Sequence, residues 1–191
     1  MRNIIPIITM PQLTPAFMFA MLLIGSLSSN WLALTVAIIF STLIQIVTII
    51  IFIYWKRGTD IFFEDRTKRA PLFLIGIIAY SIGAILLFYI NAPFIVTALM
   101  LAYAINSLAA AAITLFYKVS IHTWGISGPT VALFYMYGIA ALMAGIVIAL
   151  LVGFSRVRAN AHTTGQVLLA ILVSMPLTYL VIYYLSKSII R

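Results

Sequence analysis

The sequence predicts an all-α, polytopic transmembrane helix bundle of about six to seven spans. Of its 191 residues, 65% are hydrophobic and 7% are charged, where soluble domains carry roughly 25% charged residues. No soluble core could hide that much apolar surface. The apolar residues gather in runs close to the ~20 needed for a helix to cross a bilayer. Short polar breaks separate these runs and hold most of the Lys and Arg residues.

The first candidate helix covers Thr14–Ser28, with Thr14-Pro15 as a cap and first-turn pair. Ser28-Ser29-Asn30 is a polar break, and a second helix follows over Trp31–Trp55. Lys56–Arg69 is the one strongly polar segment and holds all three acidic residues, Asp60, Glu64 and Asp65. A third helix is expected over Pro71–Ile90, a turn at Asn91-Ala92-Pro93, and a fourth helix over Phe94–Tyr117. The apolar stretch from His122 to Ser155 divides at Gly138 into two helices, Ser127–Tyr137 with an extension at its front and Ile139–Phe154; one long helix is the alternative. Gly165–Ser186 is the last span. The N-terminus lacks a small-residue cleavage site and reads as retained rather than as a signal peptide.

A fold-back at Gly138 has consequences for charge. It gathers Lys56–Arg69, Lys118–Thr123 and Ser155–Gly165 on one membrane face, with Lys56, Arg57, Arg66, Lys68, Arg69, Lys118, Arg156 and Arg158, eight of the eleven basic residues. A single long helix would instead hold His122 and His162 about 50 Å apart, at about 1.5 Å per residue. The net charge of +8 suits a membrane surface, anionic headgroups or a bound phosphate rather than nucleic acid. The positive-inside tendency places the basic face in the cytoplasm, whereas charges gathered for a phosphate would not report orientation. With no cysteine, disulfides and thiolate chemistry are excluded.

Both histidines of the chain lie in cation-flanked polar stretches at the ends of apolar runs, in Lys118-Val119-Ser120-Ile121-His122-Thr123 and Ser155-Arg156-Val157-Arg158-Ala159-Asn160-Ala161-His162. Imidazole exchanges a proton near neutral pH and can attack phosphorus, so two imidazoles beside fixed cations point to an anion, a phosphate above all. Arg158 falls one turn off the pattern and reads as solvated or lipid-facing. Lys118 reads equally as a helix-end anchor or a ligand, and Lys68 and Arg69 as anchors or phosphate ligands. Trp31, Trp55 and Trp124 read as interfacial belt residues.

Ser155-Arg156, five residues and then His162 resembles the third signature of the type 2 phosphatidic acid phosphatase (PAP2) superfamily. Ser120-Ile121-His122-Thr123 resembles the second, Pro-Ser-Gly-His-Thr, and Lys68-Arg69-Ala70-Pro71 is similar to a degenerate first signature. Asp65-Arg66-x-x-Arg69 is similar to the form in divergent prokaryotic members. The resemblance runs from Lys56 to the C-terminus. Val119 and Ile121 replace the proline and glycine of the second signature, the lysine spacing of the first is not kept, and Gln166 stands at the usual aspartate position.

With no soluble domain or linker evident, the chain reads as a single integral membrane domain over 1–191 with an N-terminal helix pair over 14–55, and the resemblance implies a PAP2-like core over 56–191. It implies a metal-independent phosphoric ester or diphosphate hydrolase without cofactor, in a prokaryotic plasma membrane. His162 is the expected nucleophile and His122 the proton donor. Arg156, Lys68, Arg69, Arg66 and Ser120 are expected on the phosphoryl oxygens, and Gln166 and Asp65 as orienting groups. The substrate is expected to be a lipid phosphate or diphosphate, polyprenyl or phosphatidate-like, whose tail stays in the bilayer. A weakly active or inactive lipid-phosphate binding or flipping protein is the alternative. A vanadate-dependent haloperoxidase shares the signatures but belongs to soluble relatives. A small channel or assembly subunit would leave the two histidine stretches unexplained.

Overall fold

Three tight turns, two at asparagine and one at glycine, set much of the topology. In the computed structural model, which describes residues 12–26, 30–55 and 70–189, the described residues form seven helices and no strand. We name them α1 (Thr14–Gly25), α2 (Trp31–Ile38, a π-helical turn at Ile39–Leu43, then Ile44–Trp55), α3 (Ala70–Tyr89), α4 (Phe94–Phe116), α5 (Ile121–Tyr137), α6 (Ile139–Arg158) and α7 (Thr164–Ile189). Helices α2, α3, α4, α6 and α7 are each long and apolar enough to cross a membrane. The chain is a helical membrane protein. Helix α1 has 12 residues, about 18 Å at 1.5 Å per residue, too short for a ~30 Å hydrocarbon core. It also begins at Thr14 with Leu13, not Thr14, in the cap position.

Gly138 separates α5 from α6 as expected. Its φ of 76° and ψ of −164° fall in a region reached essentially by glycine alone. The two helices fold back as a hairpin, because Gly145 of α6 lies against Thr130 of α5 with no room for a Cβ. One turn from the other end, Gly153 of α6 lies equally close to Val167 of α7. Small residues thus let three helix backbones approach, the usual basis of close packing in lipid. Helix α5 begins at Ile121, so the extension expected ahead of Ser127 covers Ile121–Ile126. His122 therefore sits inside the first helical turn.

Helix α5 packs on both α6 and α7, and α4 packs on α3 and α7. The main apolar core joins Phe19 and Leu22 of α1, Leu87 of α3, Leu99 and Met100 of α4 and Ile182 of α7, all fully buried. Outward faces carry Leu, Ile and Phe, as Ile50, Leu74, Ile85, Leu151 and Leu172 show. Such residues are expected where the surrounding solvent is lipid. The Ala70 end of α3 lies beside Thr114 and Leu115 at the end of α4. The C-terminal end of α4, the start of α5, the end of α6 and the start of α7 therefore share one end of the bundle with the flanks of segment 56–69.

Candidate active site

At this end the chain turns from α6 to α7 through five residues whose backbone bonds fix His162 beside Arg156. Asn160 takes the left-handed conformation, φ 55°, which asparagine tolerates better than other non-glycine residues. The Asn160 N–H donates to the Val157 carbonyl at 2.9 Å and the Ala161 N–H to the Arg156 carbonyl at 3.1 Å. This is the paired Schellman closure of a helix C-terminus. The His162 N–H donates to the same Arg156 carbonyl at 3.3 Å. The Ser-Arg-x5-His spacing thus has a local cause: it joins the last turn of a helix to the first residue past its closure.

Helix α7 then begins with a reciprocal cap. The Gln166 N–H donates to Thr163 Oγ1 at 3.3 Å, and the Thr163 N–H donates to Gln166 Oε1 at 3.3 Å, the capping-box arrangement. The same Oε1 lies 3.0 Å from His162 Nδ1. A backbone N–H can only donate, so the atom facing it is the amide oxygen, and that oxygen can only accept from the imidazole. His162 Nδ1 therefore carries a proton, and in the neutral form of the ring the lone pair falls at Nε2. Gln166, the residue expected to orient His162, is thus within hydrogen-bond distance of its Nδ1.

The start of α5 is tied to this turn. The Ser120 N–H donates to the Gln166 carbonyl at 3.4 Å. Ser120 Oγ pairs with Thr123 Oγ1 at 3.0 Å, and Thr123 packs beside Gly153 on α6. Ser120 is fully buried with its hydroxyl turned inward to Thr123. It makes no side-chain cap to the α5 amides, so the positive end of the α5 dipole faces the same end of the bundle.

The three polar groups expected to act together are all buried here: Arg156 at 4% exposure, His122 at 6% and His162 at 7%. A guanidinium and two imidazoles withdrawn from solvent at one end of a membrane bundle are costly, and such groups usually serve a function. Arg158 is exposed and off the cluster, as its register predicted, while Lys118 is half-buried. Arg66, Lys68, Arg69, Asp65 and Glu64 lie outside the described residues. Among the described residues no group of three or more His, Cys, Asp or Glu side chains could hold a metal ion.

Two features escaped the sequence reading. Thr163 caps α7, and the Thr-x-x-Gln pattern ahead of an apolar run is a signal that could have found it. Trp124 is not a belt residue: it is buried at 6% exposure, and its Nε1–H donates to Asn106 Oδ1 at 2.9 Å. A tryptophan needs an acceptor for its indole N–H when buried, and Asn106 is the partner that reading overlooked. No family model, curated protein or solved structure matches the chain.

Proposed function

We propose that this protein is a membrane lipid phosphatase that hydrolyses a lipid phosphate or diphosphate through a phosphohistidine intermediate, built on a PAP2-like core in a prokaryotic plasma membrane. The observation that carries this is the Gln166 Oε1 contact with His162 Nδ1, which makes Nε2 the nucleophilic nitrogen of a ring on the turn that closes on the buried Arg156. His162 Nε2 attacks phosphorus, the P–O bond to the leaving group breaks, and His122 gives its proton to the departing oxygen. Water then attacks phosphorus, the P–Nε2 bond breaks, and His122 recovers a proton. Arg156, joined by Lys68, Arg69 and Arg66, stabilises the charge spread over the phosphoryl oxygens. Asp65 acts as a further orienting group. Ser120 would have to exchange its Thr123 bond for a phosphoryl oxygen to serve as a donor.

A substrate anchored by its tail suits a site at the end of a bundle whose flanks face lipid. The test is phosphate release by purified protein in detergent, with EDTA and no added metal, offered polyprenyl diphosphate, polyprenyl monophosphate and phosphatidate beside His162→Ala. EDTA-resistant release that the variant loses supports the mechanism. One observation favours a second reading, a lipid-phosphate binder or flippase that does not turn over. Gln166 is neutral, so it orients the ring but stabilises an imidazolium less than a carboxylate would. Folded wild-type protein that binds these lipids and releases no phosphate from any of them would decide for that reading.

A further inference from the structure

Beneath the histidine cluster, α5 is intrinsically weak where it carries His122. Gly125 and Gly128 lower helix propensity, and Pro129 removes the amide that would close on the Gly125 carbonyl. The helix packs on α6 and α7, but a cavity of about 70 Å3 lies against its other face, lined by Ile121, Trp124 and Gly125 together with Phe73, Tyr80 and Tyr103.

What holds this turn is a polar tie to two other helices. Trp124 Nε1–H donates to Asn106 Oδ1 at 2.9 Å. Asn106 Nδ2 donates at 2.9 Å to the Ala102 carbonyl on its own helix and at 3.0 Å to Thr178 Oγ1 on α7. Thr178 in turn donates to the Ser174 carbonyl at 2.9 Å. All donors and acceptors in this set have forced directions, so the Asn106 amide has one orientation, with both of its N–H groups donating. One turn along, Ser127 Oγ pairs with Ser174 Oγ at 2.6 Å and donates to the Thr123 carbonyl at 2.8 Å.

We propose that Asn106 is a positioning residue for the histidine site: through Trp124 it fixes the first turn of α5, and with it the placement of His122 relative to His162 on the α6–α7 turn. This rests on the phosphatase reading for its kinetic arm. Asn106 touches no reacting atom. It acts by clamping α5 to α4 and α7 two residues from His122, and misplacement of a catalytic group by about 1 Å can cost on the order of a hundredfold in rate.

The test compares Asn106→Leu, Trp124→Phe and the double variant in full-length protein in detergent. Three quantities are read: kcat and KM on the best lipid of the panel, the thermal unfolding midpoint, and the rate at which diethylpyrocarbonate modifies His122 and His162, resolved by mass spectrometry. Each single variant leaves a buried polar group without its partner and is expected to lower the midpoint. The double variant removes both polar groups and is expected to recover much of it. In all three variants kcat is expected to fall about tenfold or more with KM within about twofold, and His122 modification to change several-fold while that of His162 holds. A double variant that regains both stability and kcat, or a His122 reactivity equal to wild type in all three, would overturn the proposal and leave the tie as packing. If wild type releases no phosphate, the phosphatase reading fails on its own, and the His122 reactivity still decides whether Asn106 positions that ring.

Discussion

Two turns of this protein begin alike and end differently. The α3–α4 turn reads Asn91-Ala92-Pro93 and the α6–α7 turn reads Asn160-Ala161-His162. In both, asparagine is left-handed, at φ 52° and 55°. In both, the alanine N–H reaches back to the fifth residue before it, Leu87 at 2.9 Å and Arg156 at 3.1 Å. After Ala92 comes Pro93, and α4 starts at once with the Pro93 carbonyl taking the N–H groups of Val96 and Thr97. After Ala161 comes His162, then a capping box whose glutamine also holds the imidazole. The turn itself is generic helix-closing geometry. In the proposed function, the chemistry would come from what occupies the third position and from the arginine whose carbonyl closes the helix.

The largest expected contrast comes from His162→Ala, which should reduce phosphate release by at least about a thousandfold and leave the unfolding midpoint nearly unchanged, measured on the same preparation. Next, Gly153→Ala introduces a methyl where Val167 already stands. It should destabilise the protein by about 1–3 kcal/mol and also lower phosphate release, because the strain falls between the last turns of α6 and the first of α7. The asparagines give a matched pair. Asn91→Ala and Asn160→Ala should each cost roughly 1–2 kcal/mol by detergent-solubilised chemical unfolding, since alanine resists the left-handed conformation, but only Asn160→Ala should reduce activity. Equal losses of activity from both would mean that the turns differ less than their side chains imply. The smallest effect belongs to Arg158→Ala: the side chain is exposed, so stability should change by less than about 0.5 kcal/mol and phosphate release within experimental error.

Periodicity and breakers made most of the helix plan legible in the sequence. Runs of apolar residues marked α2, α3, α4, α6 and α7, and a lone glycine marked the α5–α6 hairpin, because no other residue reaches its backbone angles cheaply. The length of the front extension of α5 was not legible because Gly125, Gly128 and Pro129 depress its helical signal, while tertiary bonds from Asn106 and Ser174 supply what propensity lacks. Of the site, the approach of Gln166 to His162 was legible because they stand four residues apart across the start of α7. The Trp124–Asn106 bond was not, since the partners lie eighteen residues apart on two helices and nothing local links them.

One oxygen, Gln166 Oε1, serves two clients: the amide that begins α7 and the ring proton of His162. Helix fraying and imidazole tautomerism are therefore a single coupled equilibrium. If the first turn of α7 opens, the acceptor is withdrawn, the proton is free to migrate to Nε2, and the ring loses its lone pair at the attacking position. In the proposed phosphatase, the site would be armed only when that turn is folded, an interlock that would keep partly assembled chains from reacting with the lipids around them.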